Sequence, residues 1–263
     1  RCQASASGNG CGPATSTSAA LTVVADPSVT SQTMAPTSIC VGGASTASVT
    51  VSGGTGTTYQ WQYSADNVTF SNVAAGVPLG STYGTPTAIS TTINTISAAG
   101  TYYYRALVGG GSGCDAQVST PVSLTVVADP GSSTPAFSNG TICVGGSSNV
   151  SVTASNGTGT YTYQWQYSTA LAGTYANVIN GTPAGSTYTN ATSATMTIAG
   201  ISAAAANYYY RCIVNATGNG CTAANSGGAL LTVVADPAIS VQPVAGSICV
   251  GGTYAPTVTA TGG

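Results

Sequence analysis

The sequence has almost no charge. Its 263 residues include three Arg, five Asp and no Lys, Glu or His, so charged residues make up 3% of the chain, against about 25% in ordinary soluble proteins. Few charges and few aromatics can indicate disorder, but disorder goes with low hydrophobicity, and the mean hydropathy here is +0.25. The sequence therefore predicts a folded protein whose polar surface consists of uncharged Ser, Thr, Asn and Gln.

The missing residue types exclude several classes of function. Three Arg and no Lys cannot neutralise a phosphate backbone, which excludes nucleic acid as a partner. General acid–base and nucleophilic catalysis lack their usual side chains, so we expect neither an enzyme nor a cofactor. No apolar run reaches the roughly 18 residues that a membrane-spanning helix needs. The glycine run 109–111 precedes no predicted helix, which excludes a phosphate loop.

Eight cysteines are present without a histidine and without a CxxC pair. This pattern favours disulfides over a zinc site. Disulfides persist in oxidising compartments, so we expect an extracellular protein, either secreted or on the cell surface. Because the chain begins with Arg1 rather than Met, we expect it to be a portion of a longer protein.

Internal repetition is the main feature of the sequence. Three motifs recur: Leu-Thr-Val-Val-Ala-Asp-Pro at 21–27, 124–130 and 231–237, Ile-Cys-Val-Gly-Gly at 39–43, 142–146 and 248–252, and Tyr-Tyr-Tyr-Arg at 102–105 and 208–211. A period near one hundred residues corresponds to one small domain. The sequence therefore predicts two complete domains, 25–127 and 128–234, flanked by the C-terminal part of a domain (1–24) and the N-terminal part of another (235–263).

Alternating apolar residues predict β-strands within each complete domain. The segment Tyr-Gln-Trp-Gln-Tyr-Ser occurs at 59–64 and again at 163–168 and holds the chain's two tryptophans, Trp61 and Trp165. A period of two is typical of a strand with one buried face, so we expect each Trp to lie at the centre of a core. No ten-residue segment has helical periodicity. About seven short strands in a hundred residues predict an all-β protein of two-sheet sandwiches without helices.

The order of these motifs resembles a known group of proteins. Ile-Cys-x-Gly, Tyr-Gln-Trp-Gln, Tyr-Tyr-Arg and Leu-Thr-Val are similar to the tandem immunoglobulin-like (Ig-like) repeats of very large secreted surface proteins, of the adhesin or filament type, from Bacteroidota-like bacteria. The resemblance implies Ig-like sandwiches in which Tyr102 and Tyr208 form the tyrosine corner and join Trp61 and Trp165 in the core. The usual disulfide between the two sheets is missing from the pattern, because position 104 is Tyr.

Two sets of disulfides fit the cysteine positions. In the first set, one bond joins the head of each complete domain to its far end, as Cys40–Cys114 and Cys143–Cys221. Loop closure makes each of these bonds worth about 4 kcal/mol. They would also tie together the first and last strands, which a pulled chain would lose first.

In the second set, short hairpins are closed by Cys212–Cys221 and Cys2–Cys11, each worth about 2.5 kcal/mol. The preceding complete domain has Ala106 where the next has Cys212, so only the long pair is open to it. Loop-closure entropy favours the long set, which leaves Cys212 as a buried thiol that packs like a small apolar residue. Whether Cys2 and Cys212 are free or pair with Cys11 and Cys221 stays open.

A few polar residues recur at equivalent places in the repeats. The domain junctions share one Ala-Asp-Pro motif, Asp26–Pro27, Asp129–Pro130 and Asp236–Pro237. An Asp-Pro pair favours a fixed, extended turn, whereas calcium would need more oxygen ligands than one carboxylate supplies. Arg105 and Arg211 could anchor a ligand, but we expect them to pair with the junction aspartates and set the angle between domains. Tyr103 and Tyr209 face outward by parity and would either stack on a sugar or pack across strands.

The sequence thus predicts a structural protein, a rigid string of Ig-like repeats in an extracellular fibre, stalk or adhesin shaft. Its partners would be neighbouring repeats and other copies of itself. One alternative is a pilin-like subunit that polymerises by strand exchange, although the two terminal parts together lack the Trp strand. Another is a carbohydrate- or surface-binding module for a glycan or host target.

Overall fold

The computed structural model describes residues 1–111, 113–203 and 206–263, and every regular element in that part of the chain is a β-strand. Two consecutive sandwiches make up most of the molecule. The N-terminal segment before them contains one short antiparallel pair, β1 (Gln3–Ala4) and β2 (Ala14–Thr15). In the described residues no helix is long and apolar enough to cross a membrane.

The first sandwich extends from Ser28 to Val127. Its strands are β3 (Ser28–Ala35), β4 (Ser38–Cys40), β5 (Ala44–Ser52), β6 (Thr58–Ser64), β7 (Ser71–Asn72), β8 (Thr82–Tyr83), β9 (Ser90–Asn94), β10 (Gly100–Gly109), β11 (Gln117–Val118) and β12 (Val122–Val127). One sheet has the order β3-β5-β9-β8, and the other has the order β4-β12-β10-β6-β7 with β11 beside β10. These correspond to the A-B-E-D and G-F-C sheets of an Ig domain.

The second sandwich extends from Gly131 to Val234 and repeats this plan. Its strands are β13 (Gly131–Ser132), β14 (Ala136–Phe137), β15 (Thr141–Cys143), β16 (Ser147–Ser151), β17 (Ala154–Ser155), β18 (Tyr161–Ser168), β19 (Ala176–Asn177), β20 (Thr187–Thr189), β21 (Thr195–Ala199), β22 (Ala206–Ala216), β23 (Ala224–Asn225) and β24 (Ala229–Val234). The sheet orders are β14-β16-β21-β20 and β15-β24-β22-β18-β19. The C-terminal segment adds an antiparallel pair, β25 (Ala238–Val241) and β26 (Thr259–Thr261).

Each core is built around the predicted tryptophan. Trp61 and Trp165 are fully buried, and their indole Nε1 atoms donate to the carbonyl oxygens of Ala88 (3.0 Å) and Ser193 (2.9 Å). A small residue lies opposite each Trp on the neighbouring strand, Ala106 in one sandwich and Cys212 in the other. The prediction that the Trp strand forms the core is confirmed, and Cys212 is the buried thiol that was expected.

The tyrosine corner is present where the sequence predicted it. Tyr102 donates through its hydroxyl to the Ala98 carbonyl oxygen at 3.0 Å, and its side chain is half-buried. The equivalent acceptor for Tyr208 would be residue 204, which lies outside the described residues. Tyr208 is nevertheless buried in the core of the second sandwich, as expected. Two further tyrosines, Tyr104 and Tyr210, are fully buried as well.

Sequence reasoning missed the role of Tyr104. It lies between the sheets, where the usual Ig disulfide would lie, and its ring packs against Tyr63 and Tyr83 with centroid distances of 5.8 and 6.4 Å. Burial raises the pKa of Tyr104 above its ordinary value. An aromatic cluster therefore replaces the covalent link between the two sheets.

The Ile-Cys-Val-Gly-Gly motif forms an edge strand that the periodicity did not predict. β4 pairs in parallel with the last strand of its sandwich, with Ile39 opposite Val126 and Cys40 opposite Val127. β15 does the same beside β24. This pairing places Cys40 at the end of the first sandwich that adjoins the second.

Candidate functional site

A disulfide joins the two sandwiches. It links Cys40, in the edge strand of the first sandwich, to Cys221 of the second, across a sequence separation of 181. Cys221 lies in the loop between β22 and β23 (residues 217–223), which we call the F–G loop of the second sandwich; residues 110–116 are the F–G loop of the first. We treat this junction as the candidate functional site because it fixes one repeat to the next.

Backbone contacts surround the disulfide. The Cys40 N–H donates to the Asn219 carbonyl oxygen at 2.9 Å, and the Ala44 N–H donates to Asn219 Oδ1 at 2.7 Å. A Cβ atom at Gly43 would lie 2.6 Å from the Asn219 carbonyl oxygen, and one at Gly220 would overlap the Gly43 backbone. Only glycine permits this approach of two backbones, which explains the second glycine of the motif, Gly43.

The junction aspartate holds the F–G loop in place. In the second sandwich the Thr222 N–H donates to Asp129 Oδ1 at 3.0 Å, and in the first the Asp115 N–H donates to Asp26 Oδ1 at 3.1 Å. In both cases the donor is the residue after the F–G cysteine. The carboxylate therefore orients the loop that carries the cysteine, a role that the sequence-based interpretation of Asp-Pro as a simple turn missed.

The proline of each of the first two junctions packs against the following domain. Pro27 and Pro130 are buried, and the N–H groups of Gly54 and Gly157 donate to the carbonyl oxygens of Ala25 (2.7 Å) and Ala128 (2.9 Å). The third junction, Asp236–Pro237, keeps this bond between the Gly263 N–H and the Ala235 carbonyl oxygen at 2.9 Å.

No group of three or more His, Cys, Asp or Glu able to hold a metal occurs in the described part of the chain.

The predicted disulfides Cys40–Cys114 and Cys143–Cys221 are wrong, because the structure joins Cys40 to Cys221. The reason is the length of the sandwich. β10 begins beside Val126 at the Cys40 end and runs ten residues to Gly109, about 30 Å away at a strand's rise per residue. The F–G loop with Cys114 follows Gly109, whereas a disulfide needs Cα atoms within about 7 Å.

The other six cysteines are free in the structure. Cys2, Cys11 and Cys249 are exposed, and Cys114 and Cys143 are half-buried. The short hairpin pairs, Cys2–Cys11 and Cys212–Cys221, are therefore not formed either.

Cys212 is the one fully buried thiol among these free cysteines. Burial raises the pKa of this thiol to about 11. It is therefore protonated and unreactive at neutral pH.

The predicted pairing of Arg105 and Arg211 with junction aspartates is also wrong. Arg105 Nε donates to Gln62 Oε1 at 2.9 Å, and its guanidinium lies 4.0 Å from the centroid of the Phe70 ring. Arg211 repeats this with Gln166 at 2.8 Å and Tyr175 at 4.3 Å. Each Arg lies opposite its Gln in mid-strand, far from the domain ends, so it covers the outer face of its own sheet.

Comparison with known proteins gives one family match and distant structural similarity. A family described as a domain of unknown function (DUF8696) matches residues 29–128, which coincides with the first sandwich to within one residue at each end. No curated protein matches the chain.

Among solved structures, the chain is similar to eight Ig domains of Down Syndrome Cell Adhesion Molecule at 16% identity and a TM-score of 0.34, covering 80% of this chain. It spans only 25% of that molecule. A marsupial T cell receptor matches at 15% identity and a TM-score of 0.44, over 84% of this chain and 76% of the receptor. Three N-terminal domains of the outer capsid protein Hoc of bacteriophage RB49 match at 11% identity and a TM-score of 0.39, over 80% of this chain and 70% of the Hoc chain.

Proposed function

We propose that this chain is a section of an extracellular shaft, the rigid part of a fibre, stalk or adhesin built from tandem Ig-like repeats. The observation that carries the proposal is the Cys40–Cys221 bond between consecutive sandwiches. Its persistence requires an oxidising compartment, which supports a secreted or cell-surface location. The assignment of residues 1–24 and 235–263 to further Ig-like domains is part of the proposal.

Three restraints at one junction support stiffness. The disulfide and the two hydrogen bonds that Asn219 accepts act at the F–G loop. The connecting segment between β12 and β13 is only three residues long. A short connection alone limits the relative motion of two domains. A second, covalent connection between the two sandwiches restricts that motion further.

The bond also redirects mechanical load. In a chain pulled from its ends, force passes from Cys40 to Cys221 through the disulfide. The chain segment between these two residues, which spans a sequence separation of 181, therefore carries no tension. That segment holds both buried tryptophans. The parts of both cores that lie between Cys40 and Cys221 would therefore survive a force that unfolds domains linked only by backbone.

Single-molecule pulling tests the proposal. The chain with the disulfide should conceal about 600 Å of contour length, because 181 residues extend by at most about 3.3–3.6 Å each. Cys221→Ser should release that length in two unfolding events. Cys114→Ser is the matched control, since Cys114 has the equivalent place in the first F–G loop and is free.

Cellular location supplies the second half of the test. Antibodies against the two sandwiches should label thin projections on intact cells that produce the protein, as seen by negative-stain microscopy. Label confined to the cell interior, or a disulfide-bonded chain that releases its full contour length on pulling, would refute the shaft.

A further inference from the structure

An open groove lies beside Cys114 at the start of the first sandwich. Its volume is about 350 Å³, and its walls are Leu21, Thr22, Val23, Val24, Asp26, Thr55, Gly113 and Cys114. One wall is thus the Leu-Thr-Val-Val motif of the N-terminal segment. Leu21 and Val23 are 90% and 87% exposed there, whereas their equivalents Leu124 and Val126 are buried in the first sandwich.

The two complete sandwiches show what covers this motif. In each of them, an Ile-Cys strand pairs in parallel with Leu-Thr-Val-Val, and the Cys lies opposite the last Val: Cys40 opposite Val127, and Cys143 opposite Val234. The same register at residues 21–24 would place an Ile opposite Val23 and a Cys opposite Val24. The groove has the position of this absent strand.

Beside the groove, Gly113 has the same backbone conformation as its equivalent at the bonded junction, Gly220. Gly113 has a φ of 81°, and Gly220 at the bonded junction has a φ of 79°. Asp26 holds this loop as Asp129 holds the bonded one. A Cβ at Gly113 would meet nothing within 4 Å, whereas Gly220 is pressed against Gly43. The described residues beside the groove thus match the bonded junction, while the space at Gly113 that corresponds to Gly43 is open.

We propose that the groove beside Cys114 is the docking site for an Ile-Cys-Val-Gly-Gly strand of an adjoining Ig-like repeat, which adds to residues 21–24 by parallel pairing and forms a disulfide with Cys114. The occupant is the motif that this chain itself carries three times. The site would be a second junction equivalent to Cys40–Cys221. The proposal rests on the shaft function for the source of the strand, but not for the docking chemistry.

A peptide of residues 37–43, Thr-Ser-Ile-Cys-Val-Gly-Gly, tests the docking directly. It is supplied as its mixed disulfide with glutathione. The Cys114 thiolate attacks the peptide sulfur, the bond between peptide and glutathione breaks, and glutathione leaves as a thiolate that takes up a proton, so no other oxidant is needed. The protein is the Cys249→Ser variant, which lacks the chain's own unpaired copy of the strand cysteine.

Mass spectrometry of the tryptic fragment 106–211 locates the peptide on Cys114 or Cys143. Cys143 is the internal control, because it is free and half-buried but belongs to a strand already paired with β24. A second peptide with Ile and Cys exchanged is the control for register, since a shift of one residue turns the thiol to the opposite face. We expect Cys114 to acquire the native peptide at least about tenfold faster than the exchanged peptide.

A groove variant separates docking from simple thiol reactivity. Val23→Asp should slow addition of the native peptide to Cys114 about tenfold and leave its reaction with oxidised glutathione unchanged, because a buried charge opposes docking alone. Val68→Asp, at another exposed valine outside the groove, should change neither rate. Equal rates for both peptides at Cys114, or for Cys114 and Cys143, would overturn the docking site while leaving the pulling experiments on Cys221 unaffected.

Discussion

Removal of the disulfide between the sandwiches should lower stability by an amount that can be calculated from its place in the chain. The bond spans a sequence separation of 181, and in the chain-entropy account a ring of that size constrains the unfolded chain by about 5 kcal/mol. If the first sandwich unfolds while the second stays folded, the mobile ring has about half as many residues and the value falls only to about 4.5 kcal/mol. The expected loss for Cys221→Ser is therefore about 4–5 kcal/mol.

Differential scanning calorimetry of the oxidised protein measures this loss. For a unit of about 200 residues, 4–5 kcal/mol corresponds to a fall in Tm of roughly 10–20 °C. Cys114→Ser should leave Tm unchanged, because that thiol is free, and a reductant should bring the parent protein down to the Cys221→Ser value. A loss below about 1 kcal/mol, or equal losses in the two variants, would refute the reasoning.

Three further predictions concern single sandwiches. Trp61→Ala should cost about 3–5 kcal/mol and unfold the first sandwich, as followed by near-UV circular dichroism; a variant that stays folded would show that the core is not built on this residue. Tyr104→Phe should be neutral or stabilising by about 1 kcal/mol, since the Tyr104 hydroxyl has no hydrogen-bond partner among the described residues. Tyr210→Phe loses the 3.1 Å bond to Tyr188 and should cost about 1 kcal/mol. Urea titrations in which Tyr104→Phe lost more stability than Tyr210→Phe would contradict this. Backbone N–H groups of Thr69 and Val68 hold the pKa of Asp66 at about 2, so its stabilising effect is complete above the unfolded pKa of about 3.9 and is lost as pH falls towards 2. Asp66→Asn should therefore remove the dependence of the urea midpoint on pH over that range. The same pH dependence in Asp66→Asn as in the parent protein would contradict this role of Asp66.

Much of the fold could be predicted from the sequence because sheet structure leaves a period-two signal. The alternation around Trp61 identified β6, and the resemblance to Ig-like repeats placed the tyrosine corner at Tyr102. Both depend on short motifs of residues that are neighbours in the chain. The edge strand β4 has three residues, too few to alternate. Its parallel pairing with β12 is a long-range contact and gives no local signal.

The disulfide could not be predicted for the same reason. Loop-closure entropy ranks cysteine pairs only by their separation in the chain, and the predicted pairs all lay within one repeat. Once β4 is placed beside Val127, Cys40 is at one end of the sandwich and Cys114 at the other, and the nearest cysteine belongs to the next repeat. One signal was available: Ile-Cys and Gly-x-Gly-Cys each occur three times in the sequence, as expected of two halves of a junction.

The contacts of the junction aspartates and of Arg105 could not be predicted from residue type alone, because they depend on where each residue lies along the length of the sandwich. Asp26 precedes the first strand and therefore lies at the domain end that carries the F–G loop. Arg105 is in the middle of β10, opposite Gln62, and cannot reach that end. Opposite charge alone suggested that Arg105 pairs with a junction aspartate, but the length of the strand keeps the two side chains apart.

The central claim is that consecutive repeats are bonded end to end, and a tryptic digest tests it most directly. Cleavage after Arg1, Arg105 and Arg211 gives three large fragments, 2–105, 106–211 and 212–263, from denatured protein whose free thiols have been alkylated. The account predicts that, without reduction, 2–105 stays linked to 212–263 through Cys40 and Cys221 while 106–211 is released. A link from 2–105 to 106–211, which Cys40–Cys114 would produce, would contradict it.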